Sequence, residues 1–93
     1  MVMKNEVHHG WVVKFTKNIH MYSHDLRVSK AGSEYQVMCE DTPYGFVGIW
    51  PYDLNLEESE YQNLLQGLRA WAKHKGFKYR LYTSREVYES NGT

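Results

Sequence analysis

Apolar and polar residues alternate with a period of two through much of the first fifty positions. They change to a helical period beyond residue 55 and return to alternation after residue 76. Successive side chains on a strand point to opposite faces, so such a pattern sorts each segment into a buried and a solvated side. In residues 11–17, Trp11, Val13 and Phe15 share one face and Lys14 and Thr16 the other. Residues 26–28 alternate likewise, and residues 30–33 have turn chemistry, because Gly32 adopts positive φ at no steric cost. Residues 34–40 give the cleanest strand, with Tyr35, Val37 and Cys39 facing in and Glu34, Gln36, Met38 and Glu40 facing out. Residues 44–50 form a fourth strand, stopped by Pro51, in which Gly45 and Gly48 mark a bulge or a close backbone approach. Residues 18–23 suit either strand or loop, and residues 1–9 read as a loose polar lead.

Over residues 55–75 the period becomes helical. Tyr61, Leu64, Leu65, Leu68 and Ala72 recur at i, i+3, i+4, i+7 and i+11, one narrow apolar stripe. Asn55 is spaced to cap the amide of Glu58, with Glu58 returning the bond, which is a capping box. Glu57, Glu58 and Glu60 then complement the positive end of the helix dipole, and Lys73, His74 and Lys75 the negative end. Gly76 supplies the left-handed residue that ends the helix. Residues 77–82 alternate once more, Phe77, Tyr79 and Leu81 inward and Lys78, Arg80 and Tyr82 outward, and residues 90–93 are expected to fray. The expected fold is one α+β domain spanning 1–93, a small two-layer structure. An antiparallel β-meander carries one packed helix, in the order β-β-β-β-α-β.

Composition adds rings. Three Trp, eight Tyr and three Phe among 93 residues exceed what one small core can hide. Surface rings anchor protein interfaces and stack on single-stranded nucleic acid. Two places stand out. Trp71 lies one helical turn from Gly67, so its indole has a notch beside it, and Trp50, Pro51 and Tyr52 form the strand-to-helix junction. Trp71, Trp50 and Tyr52 are read as anchors for a protein partner.

Formal charge sums to zero but is segregated along the chain. No Lys or Arg stands between Lys30 and Arg69, a stretch holding Glu34, Glu40, Asp41, Asp53, Glu57, Glu58 and Glu60. From Arg69 to Arg85 there are only bases: Arg69, Lys73, Lys75, Lys78, Arg80 and Arg85. Such a split bears on association rather than on fold. The helix dipole explains the acids at 57–60 and the bases at 73–75. It does not explain Glu34, Glu40 and Asp41, which join the partner-binding set. The alternative is a nucleic-acid-binding regulator using segment 73–82, where Lys73, Lys75, Lys78 and Arg80 interleave with rings such as Tyr82.

Catalytic chemistry finds little support. Cys39 is the single cysteine, which excludes an internal disulfide and points to a reducing compartment. Its place on the apolar face of a strand suits an inert small hydrophobe better than a nucleophile. His8, His9, His20 and His24 lack the paired spacing of a zinc site, and neither a serine elbow nor a phosphate-cradling glycine loop occurs. No catalytic residue, cofactor or metal is expected. There is no apolar run of about 18 residues and no apolar signal segment, so the expected setting is cytoplasmic, with no membrane partner. The function expected is a non-enzymatic protein-binding module, an inhibitor or adaptor of the phage or mobile-element type. It would occupy the surface of a host nucleic-acid enzyme such as a defence nuclease or a polymerase. An unpaired edge strand and spare rings would also suit a homodimer.

Overall fold

The computed structural model describes residues 4–76, 78–85 and 88–90. Strands β1 (Lys4–His8), β2 (Trp11–His20), β3 (Ser23–Lys30), β4 (Ser33–Asp41) and β5 (Val47–Trp50) precede helix α1 (Glu58–Lys75). Strands β6 (Tyr79–Tyr82) and β7 (Tyr88–Ser90) follow it. They form one sheet whose spatial order is the chain order. Every neighbouring pair is antiparallel except β5 and β6, which run parallel. The α+β class and the helix packed over the sheet agree with the sequence reading. The element order does not: it is β-β-β-β-β-α-β-β, and the sheet is mixed. A parallel neighbour needs a long crossover, and α1 is that crossover.

The extra first strand corrects the reading of residues 1–9 as loose for Lys4–His8. β1 pairs with β2 from Lys4↔Phe15 to His8↔Trp11. It shows no hydrophobic alternation because it is an edge strand whose inward side meets charged side chains at the end of α1. Lys75 Nζ lies close to both strand and helix, 2.6 Å from Glu6 Oε2, and His8 Nε2 is 3.2 Å from Glu6 Oε1. Burial alone would raise the Glu6 pKa. The hydrogen bonds from Lys75 and His8, with the charges of Lys75 and His74, outweigh it and leave the carboxyl below its usual value.

Residues 18–20 continue β2, with a register shift between Thr16 and His20, and the turn to β3 has Met21 at φ 53°. β5 begins later than its alternation suggests. The residues before it close a turn, in which the Thr42 amide and hydroxyl both donate to the Phe46 carbonyl, at 3.0 and 2.8 Å. Ser90, expected to fray, pairs with Arg80 as the last residue of β7; residues 1–3, Phe77 and residues 91–93 lie outside the described residues.

The capping box at Asn55 does not form. The helix begins at Glu58, and Glu57 occupies the N-cap with no side-chain cap bond. Leu54 and Leu56 pack against the core, and the backbone is still extended at Glu57, at φ −60° and ψ 153°. The C-terminus is as the sequence reads: Gly76 at φ 77° donates to the carbonyls of Ala72 and Lys73.

The core lies between α1 and one face of the sheet. Trp11, Val13, Leu26, Val28, Val37, Cys39, Ile49, Tyr79 and Leu81 come from strands, and Leu64, Leu65, Leu68, Trp71 and Ala72 from the helix. Trp71 is 0% exposed and packs against Phe15, ring centroids 5.2 Å apart. This corrects its reading as a surface anchor. The notch at Gly67 is real but is filled from within: a Cβ there would lie 2.9 Å from the His8 carbonyl oxygen. Gly67 thus lets α1 settle onto the β1–β2 turn, and Trp71, one turn on, is carried beneath the sheet. Asn63 secures the same junction, its Oδ1 accepting from Trp11 Nε1 and Lys30 Nζ, both at 3.0 Å.

Candidate interaction surface on the uncovered sheet face

Residues alternate with those of the core on the opposite face of the sheet, where no element packs among the described residues. Register orders this face into rows. One row runs Thr16, Asp25, Met38, Trp50, since Thr16 pairs Asp25, Asp25 pairs Met38 and Met38 pairs Trp50. The next runs Ser23, Glu40, Gly48, Arg80. Tyr82, two residues beyond Arg80 on β6, completes the first row by stacking on Trp50, with ring centroids 4.9 Å apart and planes 6° from parallel. The outcome is an apolar stripe across three strands, Met38, Trp50 and Tyr82, in which Met38 is 61% exposed.

Gly48 makes the stripe possible. The Trp50 indole reaches back along β5 into the space a side chain at 48 would need, and any Cβ there would collide with the far edge of its six-membered ring. Arg80, beside Gly48 in register, turns the other way and sets its guanidinium 4.5 Å from the Phe46 ring centroid. Tyr44 stacks on Phe46 at 6.3 Å and is 82% exposed. Tyr52, half-buried beyond Pro51, lies 5.8 Å beneath the Arg85 guanidinium. Rings and guanidinium groups therefore line β5 and β6 from the 44–46 turn to Tyr52.

The acidic residues read as partner-binding separate from one another. Glu40 borders the stripe and accepts from Ser23 Oγ at 3.3 Å. Glu34 sits at the other end of β4, engaged by Lys14 at 3.2 Å and Arg27 at 3.6 Å. Asp41 turns to the inner side of the sheet, where its Oδ1 lies 2.8 Å from Nε2 of the buried His24. The basic set splits too. Lys73 and Lys75 are on α1, in the other layer, with Lys75 bound to Glu6; Arg80 and Tyr82 share the outer face with Trp50; Lys78 is exposed just before β6. Segment 73–82 does not present one surface.

Cys39 lies inside, paired in register with His24. Burial, reinforced by the carboxylates of Asp41 and Glu40, pushes its thiol up to about 12, so at neutral pH it is a protonated thiol. Among the described residues no group of three or more His, Cys, Asp or Glu is placed to hold a metal ion, and no helix is long and apolar enough to cross a membrane.

Sequence reasoning put Met38 and Tyr82 on outward faces but missed their meeting with Trp50, and it missed Phe46 and Tyr44 altogether. The available signal was Gly48 two residues before Trp50, on the same face of one strand. Comparison of the chain with protein-family models, characterised proteins and solved structures found no match.

Proposed function

We propose that the chain is a non-enzymatic protein-binding module that lays the uncovered face of its sheet on a partner. It acts as an inhibitor or adaptor of the phage or mobile-element type directed at a nucleic-acid enzyme. The observation that carries this reading is the Met38–Trp50–Tyr82 stripe with Arg80 and Glu40 at its border. Trp, Tyr, Met and Arg are enriched at interface centres, and a polar rim completes the pattern. Low reactivity of the one thiol supports a binding role over a catalytic one.

The test uses three folded forms as bait: wild type, Trp50→Ala and Lys73→Glu. The expected result is a partner retained by wild type and Lys73→Glu and lost by Trp50→Ala, whose own activity on nucleic acid falls when purified chain is added. Equal capture by all three refutes the face. Capture without loss of activity favours the adaptor over the inhibitor.

A second reading has one observation in its favour: Trp50, Tyr82 and Arg80 combine π-faces and a cation as single-stranded nucleic acid requires. It predicts oligonucleotide binding at low salt that weakens steeply as salt rises and is lost in Arg80→Glu. No binding at low salt removes it.

A further inference from the structure

We infer that the same face pairs two copies of this chain, sheet on sheet, about a twofold axis running along β5. The inference rests on reading this face as protein-binding and adds an occupant, a second copy, that competes with the heterologous partner for it.

The support is a symmetry in the register. Glu40 on β4 and Arg80 on β6 flank Gly48 on β5 in one row, and Met38 and Tyr82 flank Trp50 in the next. Adjacent strands are spaced evenly at about 4.8 Å, so the two flanking columns are equidistant from β5. A twofold axis along β5 lays the β4 column of one copy over the β6 column of the other. Glu40 then meets Arg80 of the second copy, Arg80 meets its Glu40, each Met38 meets a Tyr82, and Trp50 meets Trp50. Such an isologous contact makes every favourable pairing twice. It also avoids a like-charge contact in either row.

Shape and reach agree. Face-to-face sheets pack about 10 Å apart, a gap that Glu, Arg, Met and aromatic side chains fill from both sides. The β3–β4 side carries a depression lined by Ser23, Gln36, Met38 and Glu40, in position to take Arg80 and Tyr82 of the second copy. Formal net charge is zero, so two copies approach without long-range repulsion. At the axis the Trp50 indole lies over Gly48, so the two indoles fill the space between the two ion pairs.

The overlap is limited. With the axis on β5, strands β3 to β7 face one another and β1 and β2 lie outside, so the contact is about 24 Å wide at ~4.8 Å per strand. That falls short of the full 35 × 34 Å extent of the molecule. It also points below the ~800 Å² per partner of a standard complex, and so to a dimer that dissociates on dilution.

Sedimentation equilibrium of the full chain from about 5 to 500 μM, the range fitting a contact of this size, is the test. Wild type is expected to pass from monomer to dimer within it. Glu40→Arg and Arg80→Glu, each checked for fold by circular dichroism, are each expected to weaken the dimer at least about tenfold. The double variant Glu40→Arg/Arg80→Glu restores complementarity and is expected to recover the wild-type constant to within about threefold. Met38→Arg, on an exposed position, removes the dimer with no effect on fold. A wild-type chain that stays monomeric at the highest concentration overturns the pairing. So do single variants that dimerise as wild type does, or a folded double variant that stays monomeric. The two readings fail separately. A monomeric chain whose partner capture still depends on Trp50 overturns the pairing alone, and a restored dimer in a chain whose capture ignores Trp50 overturns the heterologous partner alone.

Discussion

One sheet presents two faces made by the same alternation, and the chain uses them in opposite ways. The inner face carries Trp11, Val13, Leu26, Val28, Val37, Ile49 and Leu81 and is sealed by α1. The outer face carries a single stripe of large apolar groups among charged and polar residues, with nothing over it among the described residues. Two tryptophans mark the contrast. Trp71 is enclosed and contributes to stability, whereas Trp50 is half-buried, stacked on Tyr82 and available on its free side. Ring count alone does not distinguish an enclosed ring from one at the surface. The element lying over the ring does.

The largest effect that would break this comparison is the loss of Trp71. Trp71→Ala empties a core site and is expected to cost about 3–5 kcal/mol in denaturant unfolding, whereas Trp50→Ala costs under about 1.5. Equal losses would mean the two faces are not distinct. Gly67→Ala comes next: its methyl meets the His8 carbonyl, so the helix must shift, at about 1–3 kcal/mol. Gly48→Ala tests the outer face in the same way and is expected to cost less, because the Trp50 ring it displaces can swing toward solvent. Its signature is spectroscopic, a change in near-ultraviolet circular dichroism as the Trp50–Tyr82 stack opens, with the unfolding midpoint little moved. A Gly48→Ala variant with an unchanged spectrum would show that the stack does not depend on the glycine.

Two effects are read from pH. The fold favours the protonated Cys39 thiol, so its folded pKa of about 12 lies above the ordinary value of 9.0. That contribution is complete below the unfolded value and is lost as pH rises toward the folded one. Wild type should therefore lose more stability than Cys39→Ala as pH climbs above about 9, and the native thiol should resist a disulfide reagent until the chain unfolds. Glu6 has the reverse sign: its folded pKa is lowered, so its contribution is present above the ordinary value of 4.5 and lost as pH falls through the folded value. Glu6→Gln is expected to flatten that acid limb by under about 1 kcal/mol.

Much of this was readable in the chain. Alternation located β2, β3 and β4 and assigned their faces correctly, because one side of each is buried and period two records that directly. The i, i+4 stripe and Gly76 located α1 and its end. What escaped had physical reasons. β1 hides because an edge strand pinned by Glu6 and Lys75 needs no apolar face. α1 starts at Glu58, after Leu54 and Leu56 have packed on the core, and not at a cap by Asn55. Trp71 was placed outside because the filler of the Gly67 notch, the His8 backbone, lies 59 positions away in the chain. The outer stripe joins residues from three strands, and which of them become neighbours depends on a register that no local pattern records. Charge misled in the same way: acids contiguous in sequence disperse to an outer row, a far strand end and the inner side.

The parallel pairing of β5 and β6 has a consequence for how the molecule assembles. Strands β1 to β5 close through short turns, so Met38 and Trp50 come together early and locally. Tyr82 and Arg80 lie more than thirty positions from Trp50 or Phe46 and reach them only after α1 has formed and docked. Contacts of such separation close late, since loop entropy must be overcome first. The uncovered face is therefore finished last, by a helix on the opposite side of the sheet. Local opening of α1 would dismantle it before the meander is disturbed. Hydrogen exchange of β6 amides should then follow that of α1 rather than that of β2 and β3.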